Sequence, residues 1–202
     1  QADLVRTILS AKESYGKGSA LAGVKINLEF ISANPTGPLH LGHTRWAAVG
    51  DALGRVLAAA GAKVTQEFYI NDRGNQMDLF GASVEAAALG LPIPENGYQG
   101  EYIGDLAKTL VAQDKSILDL SGASRTTEFR ERAYKLQLAQ QQGVLETFRT
   151  HFDVWFSERT LHESGAVEHG MDKLRKQGHV FELEDATWLR TTDYGDDKDR
   201  VL

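Results

Sequence analysis

The chain has 202 residues, 42% of them apolar and 25% charged, the usage of a soluble globular protein with room for one sizeable core or one core and a small satellite. Its formal charge of −6, from 22 basic and 28 acidic residues, excludes a surface given over to nucleic acid through a broad basic patch, so any RNA contact is local. No run approaches the roughly 18 apolar residues of a membrane span, no basic-then-apolar leader opens the sequence, and no cysteine is present to make a disulfide framework, a thiolate nucleophile or a cysteine-ligated zinc. The expected compartment is the cytoplasm. The sequence begins at Gln1 and its only methionines are Met77 and Met171, which reads as a piece of something longer.

Residues 3 to 14 are predicted as a short helix, followed by a glycine-rich loop at Tyr15 to Ser19 that lacks the ending of a phosphate loop. From Val24 to Phe30 apolar and polar residues alternate strictly, the pattern of a strand with two distinct faces. After a proline-interrupted loop, Trp46, Val49, Leu53, Val56 and Ala60 recur at three- and four-residue steps, the stripe of an amphipathic helix that Gly61 ends. Lys63 to Ile70 is a second strand and Asn75 to Leu89 a second helix, an order that predicts a parallel α/β unit. The prolines between Gly90 and Gly100 mark a module boundary. Beyond it the pattern predicts helices over 101–114 and 126–151, the second carrying glutamines and the Arg130, Arg132, Lys135 cluster on an expected solvated face. A short strand at 153–156, a helix at 165–177, two strands from Val180 and Ala186 joined by a turn, and a polar tail at 193–200 complete the chain.

The chemistry concentrates where the first strand gives way to the first long helix. Ligands of parallel α/β sheets bind where a strand's carboxyl end meets a helix N-terminus, whose free N–H groups and dipole favour phosphate. Gly42 lets a phosphate or flat base approach the backbone, and His40 and His43, three apart, share one face of the first turn. Two imidazoles there can donate to phosphoryl oxygens while a carboxylate attacks the α-phosphorus of ATP and pyrophosphate leaves, catalysis by positioning and electrostatics. On spacing alone the pair is equally a helix-cap pair or a metal site. Zinc would want a third ligand, and His151, His162, His169 and His179 lie far along the chain without metal-binding spacing. Taken alone, Glu29 reads as an exposed strand residue, Asn71 to Gly74 as a turn capping a helix, and Trp46, Trp155 and Trp188 as packing residues.

The run Ala33, Asn34, Pro35, Thr36, Gly37, Pro38, Leu39, His40, Leu41, Gly42 and His43 resembles the signature segment of class I aminoacyl-tRNA synthetases, whose His-x-Gly-His box binds ATP. The flanks, from Glu29 to Pro38 and from Tyr69 to Gln76, are similar to those of arginyl-tRNA synthetases, and the similarity continues through Tyr98 to Ile103 and Phe152 to Ser157. The resemblance implies a Rossmann-like α/β fold: a lead-in over 1–23, the first half of the class I nucleotide fold over 24–90, and a mainly helical insertion with a few short strands over 91–202. It implies that His40, Gly42 and His43 contact ATP, used with Mg2+, and that His40 and His43 stabilise the phosphoryl transition state. It sets Ser32 and Asn34 near the amino and carboxylate groups of arginine, Glu29 against its guanidinium, and Tyr69, Asn71, Asp72, Asn75 and Gln76 along the site. A carboxylate accepts two parallel bonds from a planar guanidinium, a geometry that an ammonium cannot match.

The implied partners are arginine, ATP and tRNA(Arg), the tRNA held mainly by regions outside this chain, an anticodon-binding domain and an N-terminal domain; the second half of the fold, with further arginine-binding residues and a loop related to the Lys-Met-Ser-Lys signature, is likewise expected outside it. On that reading the chain alone is inactive. The alternatives are a small-molecule nucleotidyltransferase with the same box, against which the Glu29 and Tyr69 flanks speak, and a non-catalytic binding module derived from a synthetase.

Overall fold

A lead-in helix, α1 (Ala2–Ala11), and one turn of 3-10 helix at Lys12–Ser14 precede strand β1 (Lys25–Glu29), in which Ile26 and Leu28 are half-buried and Lys25, Asn27 and Glu29 exposed, as the alternation requires. Helix α2 (Leu41–Ala59) then returns the chain to strand β2 (Lys63–Ile70). Three helices follow, α3 (Asn75–Leu89), α4 (Glu101–Gln113) and α5 (Gly122–Thr147), before strand β3 (Val154–Ser157). The three strands make one parallel sheet in the order β1-β2-β3, with Glu29 beside Glu67 and Tyr69 beside Phe156. Their carboxyl ends therefore open on one side, the side that a parallel sheet uses for ligands. This computed structural model describes residues 2–202, in two compact units that divide after Ser157.

In the first unit one apolar cluster lies on the sheet, where Phe68 and Ile70 of β2 pack with Ile31, Ala33, Ala47 of α2 and Leu145 of α5. Trp155 stacks on Phe68 with ring centroids 4.5 Å apart, a packing role in line with the sequence reading. A second cluster joins α3, α4 and α5 through Phe80, Val84, Ile103, Leu110 and Phe129. Burying such side chains is worth about 1.5–3 kcal/mol each, so these three helices share a core of their own.

Two expectations for the helix faces need correction. The apolar stripe of α2 does not face the sheet: Trp46, Val49, Leu53 and Val56 are 53%, 60%, 44% and 64% exposed, and the buried residues are Ala47, Gly50 and Gly54. The reason is size, because the Phe30 ring fills the space where a Gly50 side chain would begin and the Gln66 side chain does the same at Gly54. The polar face expected on α5 is also partly inside, since Gln137 and Gln141 are 0% and 1% exposed on the same row as Phe129, Ala133 and Leu145. Arg130 and Arg132 are not free surface charges either, for Arg130 pairs with Asp78 at 2.6 Å and Arg132 with Asp114 at 2.9 Å.

The second unit begins with two helices, α6 (Arg159–Glu163) and α7 (Ala166–Lys176), and closes with an antiparallel sheet of β4 (Val180–Leu183), β5 (Ala186–Leu189) and β6 (Arg200–Val201). Glu184 and Asp185 join β4 to β5 with φ of 51° and 59°, the tight hairpin turn whose twist suits the strands. The expected polar tail is ordered: Asp199 accepts from the amide and hydroxyl of Thr192, and Arg200 forks onto Asp196, whose carboxyl it holds well below the usual range.

The Gly50 contact yields a test. A Cβ there would overlap the Phe30 ring, whereas one at Gly104 in α4 would meet nothing within 4 Å. Gly50→Ala is expected to cost about 1–3 kcal/mol of stability by overpacking, and Gly104→Ala to gain up to about 1 kcal/mol from helix propensity. Urea denaturation midpoints of the two variants should move in opposite directions.

Candidate functional site

At the end of β1 the backbone bends sharply. Ile31 and Ser32 both have positive φ, 67° and 44°, a region unfavourable for a β-branched residue and costing about 1–3 kcal/mol per residue. Burial of the Ile31 side chain and a bond from the Tyr69 amide to Ser32 Oγ, 3.1 Å, hold the bend. Glu29, just before it, is exposed, and its carboxylate has no hydrogen-bond or ion-pair partner among the described residues. Glu29 and Ser32 line a cavity of about 390 Å3 with Phe30, Trp46, Val49 and Leu53.

The loop from Ala33 to Leu39 has two prolines and, beyond a turn at Pro35 and Thr36, no regular structure, and three of its carbonyls are taken by side chains of α4 and α5. Gln141 of α5 donates through Nε2 to the carbonyls of Asn34, 3.0 Å, and Gly37, 2.8 Å. Tyr102 of α4 donates its hydroxyl to the carbonyl of Thr36 at 2.8 Å. Burial, with Tyr98 nearby, pushes the Tyr102 phenol up to about 12, so it stays a donor at any working pH. The side chain of Asn34 donates to Gln76 Oε1 at 2.5 Å, which brings together two of the expected site residues.

At the start of α2 the two histidines cap the helix reciprocally. The Gly42 amide donates to His40 Nδ1 and the His40 amide to His43 Nδ1, each at 3.1 Å, with the ring centroids 3.9 Å apart. A backbone N–H can only donate, so both Nδ1 atoms are acceptors and each neutral ring carries its proton on Nε2. The structure shows the cap pair, and that cap is compatible with the chemical reading because it leaves an Nε2–H donor on each ring at the positive end of the helix. Burial, and secondarily the neighbouring His40, lower the pKa of His43. Beyond the box, His43 lines a larger cavity of about 470 Å3 between α2 and α5, with Leu39, Thr44, Val144 and Phe148.

The expected site-lining residues divide. Tyr69 is half-buried and its ring stacks on Phe156 at 5.8 Å, Asn71 is half-buried, and Asn75 and Gln76 are exposed at the start of α3. Asp72 is 1% exposed and lies beneath the surface, accepting from Tyr134 Oη at 2.9 Å and Ser157 Oγ at 2.6 Å, so it joins the carboxyl ends of β2 and β3 to α5. Sequence reasoning missed Gln141 and Tyr102. The one available signal was Tyr102's place in the Tyr98 to Ile103 segment; for Gln141, one glutamine in a glutamine-rich helix, there was none.

A family model described as tRNA synthetases class I (R), catalytic domain, matches residues 4–201. The chain belongs to the class I arginyl-tRNA synthetase family. Curated arginine–tRNA ligases from Renibacterium salmoninarum and Pseudarthrobacter chlorophenolicus are 55% and 51% identical to it, each over 98% of this chain and 36% of their own length. The chain thus spans about a third of the length of these ligases. Among solved structures, one from Campylobacter jejuni assigned to the arginyl-tRNA synthetases is 32% identical, with a TM-score of 0.86 over 98% of this chain and 44% of that one. The arginyl-tRNA synthetase of Thermus thermophilus, 22% identical with a TM-score of 0.65 over all of this chain and 35% of its own, shares the fold.

The capping box of this synthetase chain makes a pH prediction. The folded value of His43 lies below the ordinary 6.5, so the fold prefers the neutral ring; that stability is present above about 6.5 and is lost as pH falls through the folded value. A nitrogen-15 NMR titration is expected to find His43 as the Nε2–H tautomer at neutral pH with a midpoint below 6.5. A midpoint above 6.5, or a proton on Nδ1, contradicts the cap.

Proposed function

We propose that this chain is the nucleotide-binding part of an arginyl-tRNA synthetase that activates arginine with ATP and transfers it to tRNA(Arg) in the cytoplasm. The proposed division is a lead-in to residue 23, the first half of the nucleotide fold over 24–90, and an insertion with terminal strands over 91–202. The observation that carries the reading is the pairing, across one strand–loop–helix unit, of an unpartnered Glu29 carboxylate with two imidazoles whose Nε2–H donors are fixed by the cap. A planar guanidinium suits the carboxylate, and a negative phosphoryl group suits the donors.

In this reading Glu29 accepts from the guanidinium, and Ser32 and Asn34 orient the α-amino and α-carboxylate groups. One carboxylate oxygen of arginine attacks the α-phosphorus of ATP, the bond to the bridging oxygen breaks, and pyrophosphate leaves. His40 and His43 donate to phosphoryl oxygens as charge grows on them, and the Gly42 backbone lies against the nucleotide. Magnesium enters with ATP as part of the substrate. The chemistry needs no covalent enzyme intermediate, only alignment and electrostatic stabilisation. Tyr69, Asn71, Asn75 and Gln76 form the neighbouring wall, with Asp72 supporting it from below. Transfer of the arginyl group to the terminal adenosine of tRNA completes the cycle.

The test is arginine-dependent ATP–pyrophosphate exchange by the full-length enzyme with tRNA present. Replacing His43 by Ala is expected to lower kcat about 10²–10³-fold, the effect of losing one preorganised donor. Glu29→Gln is expected to raise KM for arginine about 10–100-fold, the worth of a bond to a charged group. Exchange supported equally by lysine, or independent of any amino acid, would overturn the assignment. The chain of residues 1–202 by itself is expected to show no exchange.

A further inference from the structure

The prolines of the signature loop create a demand for donors that the loop cannot meet. Pro35 and Pro38 have no N–H, yet Pro35 and Thr36 are buried, so the loop carbonyls cannot all turn to water. Gln141 supplies both of its N–H bonds to this segment, at 3.0 and 2.8 Å, from a position 1% exposed on α5. Its Oε1 is buried without a partner. A burial that leaves one amide oxygen unsatisfied costs about 1–3 kcal/mol, so the position of Gln141 is not explained by packing alone. Tyr102 takes the carbonyl of Thr36, between the two that Gln141 holds.

The loop therefore has two separate anchors. Its first half, Asn34 to Gly37, hangs on Gln141 and Tyr102, with the Asn34 side chain steadied by Gln76. Its second end, His40 to His43, is fixed by its own capping box. We propose that Gln141 is a positioning residue for amino-acid recognition: by holding the Asn34 and Gly37 carbonyls it sets the orientation of the Asn34 carboxamide, and it does so independently of the nucleotide end of the loop. The proposal rests on the reading of this site as an arginine and ATP site. The helical insertion thus determines affinity for the amino acid from outside the cavity, without contact with the substrate.

Gln141→Met in the full-length enzyme keeps the side-chain length and removes both donors. It is expected to raise KM for arginine about 10-fold, the effect of about one net hydrogen bond in the site, while KM for ATP changes less than about 2-fold. A crystal structure of the variant is expected to show residues 34–37 displaced while the His40 and His43 cap stays in place. Equal changes in both KM values, an unchanged arginine KM, or a loop that keeps its position would each overturn the proposal. Tyr102→Phe, which keeps the ring and loses only the bond to Thr36, covers the case in which Gln141→Met does not fold, with an expected rise of roughly 3-fold in arginine KM and the same outcomes against it. The wild-type enzyme keeps the two readings apart: if it shows no arginine-dependent exchange the functional assignment fails, and the loop position in the variant structure still decides what Gln141 does.

Discussion

The backbone of the Ala33 to Leu39 loop offers more acceptors than donors, and much of the first unit is arranged around that imbalance. A buried carbonyl without a partner costs about as much as a lost hydrogen bond. Here the partners come from α4 and α5, elements 60 and more residues further along the chain. Helices α4 and α5 are thereby tied to the signature loop. The close-packed cluster that Ile103 and Phe129 form with Phe80 of α3 fixes the helices that carry Tyr102 and Gln141.

The bend at Ile31 and Ser32 belongs to the same economy. Two consecutive non-glycine residues at positive φ are disfavoured, and such strain persists only where surrounding contacts over-determine it. The contacts are the burial of Ile31 against Phe68 and Leu145 and the Tyr69 amide bond to Ser32 Oγ. Because that amide belongs to β2, the central strand, the bend is referenced to the most constrained part of the sheet. The Ser32 hydroxyl still has a proton to donate outward, into the cavity that it lines with Glu29.

The elements themselves were legible. Alternation placed β1, and the spans of β2 and α3 coincide with the runs Lys63 to Ile70 and Asn75 to Leu89, because periodicity reports local geometry directly. Faces were harder to read. The stripe of large apolar residues on α2 is regular, but the sheet took the row of Ala47, Gly50 and Gly54 instead, since Phe30, just past β1, and Gln66 of β2 already occupy the space. Gln137 and Gln141 look solvated to any rule based on residue type, and only the three-dimensional position of a donor-poor loop gives Gln141 a reason to be inside. At the site, the His40 to His43 spacing left a cap pair and a chemical pair as alternatives. Spacing cannot say which ring nitrogen faces a backbone N–H; the cap uses Nδ1 on both rings, so it does not compete with the chemical role proposed for Nε2.

The small face of α2 has a consequence for the chemistry as well as for packing. A helix that meets a sheet through alanine and glycine lies closer to it than one that meets it through leucine, and its N-terminus is correspondingly closer to the carboxyl ends of the strands. His40 caps that helix and Glu29 ends the strand beside it, and the close approach of helix to sheet is made several turns along, where Phe30 fills the place of a Gly50 side chain and Gln66 that of Gly54. Any Cβ at Gly50 acts as a wedge between helix and sheet. The cap's own bonds do not depend on that contact, because they are made entirely within His40 to His43. Local order of the box and its placement over the sheet are thus separate requirements, the first satisfied by two histidines and the second by residues that have almost no side chain.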